Sequence, residues 1–265
     1  MEILVCLKQV PDTEADIRPT GDKTAIDYTG IKFIINVYDE YAVEEALRIK
    51  ERLGEGKVTI CCLGPERATE AIRTALAMGA DEAVHLDDEA FQGGDAYATA
   101  KALAKAIEGM QYDLILCGKQ AIDDDLSQVG SMLAEFLGLP VVTGVVKVDL
   151  SEDKKRATVH RLVEGGVDVL EVPLPAVLTA TKGLNEPRYP SLPGIMKAKK
   201  KPLKAVKLAD LGLKEEEVGE KGALTKVQSY SLPPMRKEGK IVEGETPEEK
   251  AANLAKLLRE EAKVI

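Results

Sequence analysis

The feature that most constrains the fold of this chain is an alternation of short apolar runs with helical patterns through its first half. Nearly continuous apolar runs occupy residues 3–7, 58–64, 82–86 and 113–118, as expected for parallel strands that are covered on both faces. Each gap between two runs holds an amphipathic pattern. The alternation predicts right-handed βαβ units and an α/β fold with a doubly wound, mostly parallel sheet.

Apolar periodicity together with start and stop residues locates the helices between these strands. Helices are predicted at residues 39–54, 65–80, 95–108 and 127–137. In the first of them, Glu44 and Glu45 fall mostly on the side away from the apolar face. Both carboxylates are therefore expected in solvent.

Beyond Pro140 the pattern changes to longer β-like runs without helices between them. These runs, at residues 141–150, 156–166 and 168–181, resemble antiparallel ribbons. The sequence thus predicts an antiparallel extension at one edge of the sheet.

The end of the chain carries a strong helix signal. Thr246 is placed to cap this helix, Pro247 to begin it, and Glu249 to complete a capping box. We expect a nucleotide-binding core of residues 1–225 and a C-terminal arm of residues 226–265. From the pattern alone, the arm docks either on its own core or on a partner subunit.

Residues 182–202, "KGLNEPRYPSLPGIMKAKKKP", hold four prolines and a run of lysines. The segment is predicted to be too broken for a helix or a strand. Its prolines would limit flexibility and leave Leu192 as an exposed apolar tip, so the segment could dock on a partner with little loss of entropy. The lysines would then steer an acidic partner, or they form an ordinary solvated face.

Composition excludes several classes of function. A pI near 5.0, an aromatic share of 4% and the absence of Trp argue against nucleic acid as a partner. The N-terminus lacks the basic region of a signal peptide, so we expect a cytoplasmic protein without membrane insertion. His85 and His160 are far apart in sequence, and the cysteines are expected as reduced core residues, so neither a catalytic residue nor a metal site is indicated. The cysteines are Cys6, Cys61, Cys62 and Cys117.

Sheet topology nominates a ligand site. Ligands of doubly wound sheets bind beyond the carboxyl ends of strands, which here are the loops after Leu7, Cys62 and Cys117. The last loop contains three consecutive aspartates, and Ser127 is available as the N-cap of the helix that follows. Free N–H groups at a helix N-terminus favour phosphate, and the aspartates would bind ribose or amide hydrogens or simply cap a turn. Adjacent carboxylates cannot all point at one ion, so Mg²⁺ is not favoured.

Motifs in order along nearly the whole chain carry a resemblance to one family. They are "VCLKQVPD", "AVEEALRIKE", "IRTALAMGADEAVHL", "GKQAIDDDLSQVGSMLAEFLG" and "LPAVLTATKGLNEPRYPSLPGIMKAKKKP". With these motifs the chain resembles the beta subunit of electron-transfer flavoprotein. The resemblance implies an adenine-nucleotide alpha-hydrolase-like fold and an electron carrier without catalytic residues of its own. It also implies an alpha subunit that holds most of an FAD, while the beta subunit binds AMP and completes the flavin pocket.

The resemblance further implies which residues form the nucleotide site, with Tyr38 near the flavin. These cofactor-binding residues are Cys6, Asn36, Val37, Tyr38, Asp39, Leu63, Gly118, Lys119, Gln120, Ala121, Ile122, Asp123, Asp124, Asp125, Leu126, Ser127, Gln128 and Val129.

A second set of residues, implied in the same way, would recognise flavin dehydrogenases such as acyl-CoA dehydrogenases. It lies within residues 184–200 and has Leu192 as its anchor. Its members are Asn185, Glu186, Pro187, Arg188, Tyr189, Leu192, Pro193, Ile195, Met196 and Lys197. Electrons would pass from these dehydrogenases through the flavin to a membrane quinone oxidoreductase.

Two departures from the family pattern keep an alternative open. Thr13 stands where many simple members have a tyrosine beside the flavin, and "FQGGDAYATAKAL" leans toward members that bifurcate electrons from NADH with a second FAD in place of AMP. In the opposite direction, Asp124 stands where those members have glycine, and its side chain would crowd the pyrophosphate of a second flavin. AMP is therefore favoured, with a second FAD as the alternative.

Overall fold

A computed structural model describes residues 1–236 and 238–265 of the chain, which form two compact units. The larger unit contains residues 1–17 and 27–228, and the smaller contains residues 18–26 and 229–265.

The strands follow one another as the apolar runs predict, with additional short ones. In chain order they are β1 (Glu2–Leu7), β2 (Gln9–Pro11), β3 (Arg18–Pro19), β4 (Ile26–Asp27), β5 (Phe33–Ile35), β6 (Lys57–Leu63), β7 (Glu82–Leu86), β8 (Leu114–Gly118), β9 (Val141–Leu150), β10 (Arg156–Val163), β11 (Gly166–Pro173), β12 (Val177–Ala180) and β13 (Leu203–Val206).

The helices lie between these strands and after them. They are α1 (Val37–Leu53), α2 (Thr69–Met78), α3 (Ala96–Glu108), α4 (Val129–Leu137), α5 (Leu192–Ala198), α6 (Leu208–Leu211), α7 (Gly219–Gly222) and α8 (Pro247–Leu257). A short 3₁₀ turn, Glu66–Ala68, leads into α2, so this helix begins later than the predicted residue 65.

The central sheet of the larger unit has nine strands in the order β11-β10-β9-β12-β8-β1-β6-β7-β13. The seven strands from β9 to β13 in this order run parallel, while β10 and β11 are antiparallel at one edge. This confirms the doubly wound α/β fold and, in β10 and β11, its antiparallel extension. The prediction that the run at residues 168–181 is antiparallel throughout is wrong, because the run divides into β11 and β12, and β12 pairs parallel with both β8 and β9 inside the sheet. The edge strand β13 was not predicted, because four residues of mixed polarity give a weak strand signal.

Side chains of β1 show how the sheet is covered on both faces. Ile3 and Val5 pack with α1 and α2 in one apolar cluster, whereas Leu4 and Cys6 pack with α3 and α4 in another. All four cysteines are buried, which confirms their prediction as core residues. His85 is also buried, and its Nε2 lies 2.9 Å from the carbonyl oxygen of Gly64.

The smaller unit contains the predicted terminal helix. Oγ1 of Thr246 accepts the backbone N–H of Glu249 at 3.2 Å, which confirms the N-cap. The Glu249 carboxylate accepts the N–H of Glu245 at 2.9 Å, one residue before the position that a capping box requires. Among the helices of residues 1–236 and 238–265, none is long and apolar enough to cross a bilayer.

Helix α5 corrects the expectation that residues 182–202 form neither helix nor strand. Oγ of Ser191 accepts the N–H of Gly194 at 3.1 Å and so caps the helix. Pro193 lies in the first turn, where a backbone N–H has no intrahelical partner and its absence costs little. Leu192 is therefore the first residue of a helix, and it is 79% exposed as predicted.

Candidate functional site

The candidate site lies where the connections from the central sheet diverge. Strand β1 has β6 on one side and β8 on the other, and all three run parallel, so their carboxyl ends meet at one edge. The chain passes from β1 through β6 and β7 before returning to β8, which makes the β1/β8 boundary the topological switch point. The three nominated loops are therefore neighbours.

Asp39 joins the two strands of the switch point. It lies in the first turn of α1 and is only 5% exposed. Its Oδ2 accepts the backbone N–H of Lys8 at 2.7 Å, and its Oδ1 accepts the backbone N–H of Gly118 at 2.9 Å. Burial raises the pKa of this carboxyl to about 7, although the hydrogen bonds act in the opposite direction.

Asn36, immediately before α1, holds the loop of residues 118–129. Its Nδ2 donates to the carbonyl oxygen of Gln120 at 2.8 Å, and its Oδ1 accepts the N–H of Ile122 at 3.1 Å. The residue is almost fully buried, so both bonds are shielded from water. Asn36 and Asp39 together fix the loop and the strand ends against α1.

The three aspartates are engaged within the site. Nζ of Lys8 lies 2.7 Å from Oδ1 of Asp123 and 3.0 Å from Oδ2 of Asp124. Oδ1 of Asp125 accepts from Nε2 of Gln120 at 2.5 Å. Sequence reasoning did not single out Lys8, although its position directly after β1 at the ligand edge would have nominated it.

The start of α4 differs from the prediction that Ser127 caps it. The helix begins at Val129, and Ser127 has a left-handed backbone with φ of 55°, where its Oγ donates to Oε1 of Gln120 at 3.2 Å. No side chain of the described residues caps the helix. Within residues 1–236 and 238–265, the N–H groups of Val129, Gly130 and Ser131 have no acceptor, so they can donate to an oxyanion.

A cavity of about 160 Å³ adjoins this loop at the ends of β1 and β6. The nominated loops contribute Lys8, Leu63 and Asp123 to the lining of this cavity. On its far wall the Arg67 guanidinium lies 4.0 Å from the centre of the Phe33 ring. A separate open groove of about 550 Å³ between α1 and β9 is not lined by any of the predicted site residues.

The structure places the remaining predicted nucleotide-site residues around this edge, apart from Cys6. The Cys6 side chain is buried on the α3 and α4 face of β1, beside Cys117. A hydrogen bond with Cys6 and burial raise the pKa of the Cys117 thiol. Tyr38 lies in the first turn of α1 with its ring centre 6.5 Å from that of Tyr41.

The predicted recognition residues form an apolar face on α5. Leu192, Ile195 and Met196 are spaced like neighbours on one side of a helix, and all three are exposed. Tyr189, just before the helix, is 94% exposed. The recognition face is hereafter these four residues.

Arg188 points into the protein and anchors the segment before α5. Its Nε lies 2.8 Å from Oε2 of Glu44, and its Nη1 lies 2.5 Å from Oε1 of Glu51. Hydrogen bonds to Glu51 and Glu44 raise the pKa of the guanidinium. Glu44 also pairs with Arg48 at 2.6 Å. The prediction that Glu44 and Glu45 face solvent is wrong, because Arg188 and Asn185 from a distant segment cover them.

The lysine run after α5 is only partly a solvated face. Nζ of Lys201 donates to the carbonyl oxygens of Leu76 and Ala80, at 2.9 and 2.5 Å, near the C-terminus of α2. Arg73 of α2 donates in return to the carbonyl oxygens of Ala198 and Lys201. Lys201 thus completes the end of a helix, and it is not available to steer a partner.

Comparison with known proteins identifies the family. A profile of the electron transfer flavoprotein domain matches residues 24–211. The electron transfer flavoprotein subunit beta of Thermoanaerobacterium thermosaccharolyticum is 51% identical over 250 residues, covering 94% of each chain. The subunit beta of Bacillus subtilis is 44% identical over the full length of both chains.

The chain belongs to the electron transfer flavoprotein beta-subunit family. This confirms the resemblance found in the sequence motifs. The family consists of electron carriers that associate with flavin and have an alpha subunit as their partner. Another relative, the caffeyl-CoA reductase-Etf complex subunit CarD of Acetobacterium woodii, is 44% identical over 98% of each chain.

The Gly-Gly-Asp motif near α3 has a structural explanation in this electron transfer flavoprotein subunit. A Cβ at Gly94 would lie 3.2 Å from Cα of Gly219, so a larger residue would displace the start of α7. Asp95 caps α3 through the N–H of Ala98 at 3.0 Å and also accepts the N–H of Thr225 at 2.9 Å. These contacts give the motif a role in packing α3 against the segment of residues 219–225.

Proposed function

We propose that this beta subunit binds AMP at the β1/β8 switch point, completes the pocket of an FAD held mainly by the alpha subunit, and docks flavin dehydrogenases. In the cytoplasm it would accept electrons from them, acyl-CoA dehydrogenases among them, and pass these electrons toward a membrane quinone oxidoreductase.

The observation that carries the AMP assignment is the uncapped start of α4 beside the loop that Asn36 holds. The N–H groups of Val129, Gly130 and Ser131 are donors of the kind that a phosphate needs. The loop between Gly118 and Val129 that leads to these groups is held by the two hydrogen bonds of Asn36. These residues fit a nucleotide monophosphate.

The small volume of the cavity beside the site supports an FAD pocket that is formed by two subunits. Pockets that enclose a drug-sized ligand measure roughly 300–1,000 Å³. The cavity beside the site is about 160 Å³, so this chain by itself encloses no more than part of a dinucleotide. When bound, the flavin supplies the redox chemistry, while this chain contributes positioning donors and covers one side.

The hydrogen bonds of Asp124 favour AMP over a second FAD. Its Oδ1 accepts the N–H of Leu126 at 3.1 Å while its Oδ2 pairs with Lys8. The side chain is thus fixed inside the loop, at the position where the alternative requires glycine. A second flavin would have to displace both contacts.

The recognition face supports docking of a partner dehydrogenase. Three apolar side chains lie together on a helix whose preceding segment is fixed by Arg188. A pre-ordered apolar face loses little conformational entropy when it is buried by a partner.

We also propose that residues 226–265 pack on the alpha subunit. This arm has apolar side chains that are exposed in the isolated chain. They include Leu232, Met235, Ile241, Leu254, Val264 and Ile265. Their burial by the alpha subunit would remove this apolar surface from water.

Binding of AMP to heterodimer stripped of nucleotide tests the assignment. We expect Asn36→Ala to weaken AMP binding about tenfold, because the loop loses both of its side-chain hydrogen bonds. Asn253→Ala is the matched control, since that amide donates to the carbonyl oxygen of Glu243, away from the switch point. Equal affinity in the Asn36 variant and the control would reject the site.

A further inference from the structure

Asp39 occupies a position from which both strands of the switch point can be controlled. One carboxylate oxygen accepts the N–H that follows β1, and the other accepts the N–H of the last residue of β8. A Cβ at Gly118 would clash with the same carboxylate and would lie 2.8 Å from atoms of Tyr38. Strand β8 and Asp39 are therefore as close as a glycine allows.

The carboxylate of Asp39 is not available to a ligand. Both oxygens accept backbone N–H groups, and the residue is 5% exposed. Its effect on a bound nucleotide must therefore pass through Lys8, which pairs with Asp123 and Asp124, and through Gly118, which begins the loop toward α4.

We propose that Asp39 is a positioning residue of the nucleotide site. Its ionised carboxylate sets the distance between the ends of β1 and β8. This distance in turn determines where the loop of residues 118–129 and the N-terminus of α4 lie relative to the nucleotide phosphate. The inference rests on the proposed AMP site and adds a means by which pH regulates it.

The ionised form is the one that makes both contacts. A protonated carboxyl carries a hydrogen on one oxygen, and that oxygen can no longer accept an N–H in the same place. Lys8 is the charged group that faces Asp39, the neighbouring Asn36 amide acts to lower the pKa of Asp39, and the thiols of Cys62 and Cys117 face it from β6 and β8. Because burial raises the pKa of Asp39 to about 7, the change from two backbone N–H hydrogen bonds to one occurs near neutral pH.

The first test is the affinity of the heterodimer for AMP between pH 6 and 8.5. We expect Asp39→Asn to bind AMP about tenfold more weakly at pH 8, because an amide offers one acceptor where two are needed. Its remaining pH dependence should be that of the AMP phosphate alone. Asp81→Asn is the matched control, since Asp81 accepts the N–H of Val58 at 2.8 Å at the opposite end of the sheet. Wild-type affinity in Asp39→Asn, or an equal loss in Asp81→Asn, would overturn the proposal.

A second test uses the wild-type protein, so it remains valid if the Asp39→Asn variant does not fold. The backbone amide NMR signals of Lys8 and Gly118 in the wild-type heterodimer should titrate with one common midpoint near neutral pH. Since binding and ionisation are reciprocal, AMP that prefers the ionised form must lower this midpoint. A midpoint that AMP leaves unchanged or raises overturns this inference alone. Failure of the wild-type heterodimer to bind AMP at any pH overturns the proposed function as well.

Discussion

The backbone N–H of Gly118 donates to Oδ1 of Asp39 at 2.9 Å, and a Cβ at position 118 would meet that same oxygen. Helix α1 and strand β8 therefore approach each other as closely as a glycine permits.

Gly118→Ala should destabilise the chain and release nucleotide, because the added methyl group must displace Asp39 or Tyr38. We expect a loss of about 1–3 kcal/mol in the free energy of unfolding. The measurement is pulse proteolysis of the beta chain in the heterodimer, together with its nucleotide content. Gly109→Ala is the control, because no atom lies within 4 Å of its added Cβ. Equal behaviour of the two variants would contradict the close approach.

Leu192→Ala should slow electron transfer from a partner dehydrogenase about tenfold at low dehydrogenase concentration, because it removes the most exposed aliphatic side chain of the recognition face. FAD content should not change. Leu224→Ala serves as the control, since Leu224 is 72% exposed and lies outside the recognition face. Transfer rates that fall equally in both variants would remove Leu192 as the anchor.

Arg188→Ala should destabilise the chain by about 1–3 kcal/mol, because it leaves the 3% exposed Glu44 carboxylate with Arg48 as its remaining ion-pair partner. Proteases should also cut residues 185–197 faster. The exposed pair of Arg156 and Glu171 gives the comparison, and Arg156→Ala should cost less than about 1 kcal/mol. If both variants unfold at the same denaturant concentration, the Arg188 network does not anchor the segment.

The ionisation of Asp39 predicts how stability depends on pH. The pKa of its carboxyl is about 7 in the folded chain, against an ordinary value of 3.8 for aspartate. Between these values the folded chain holds a proton that the unfolded chain has released, so the free energy of unfolding falls as pH rises and levels off above pH 7. The contribution is on the order of 4 kcal/mol.

Asp39→Asn lacks this titration. Relative to the wild type, its free energy of unfolding should therefore increase as the pH is raised from 4 to 8. Pulse proteolysis of both heterodimers across that range measures the difference. A difference that stays constant with pH would show that Asp39 does not titrate in this window.

The strands and the ligand edge could be predicted from sequence because they depend on local patterns. A continuous apolar run such as that of β1 identifies a buried parallel strand, and the order of strands and helices then places the loops at one edge. The N-cap at Thr246 is a local signal of the same kind.

The predictions that the structure contradicts depend either on contacts between distant segments or on the exact place of a residue in a helix. Glu44 looks like a solvent-facing residue until Arg188, 144 residues later, covers it. The four prolines of residues 182–202 argue against a helix, although Pro193 lies in the first turn of α5, where a proline is tolerated. Ser127 has the side chain of an N-cap but a left-handed backbone, and no residue pattern near it predicts that conformation.

The most direct test of the account is the nucleotide content of the heterodimer as purified. Acid extraction followed by chromatography should release one AMP and one FAD per heterodimer, with the AMP lost in Gly118→Ala and kept in Gly109→Ala. Two FAD and no AMP per heterodimer would contradict the account and assign the switch point to a second flavin.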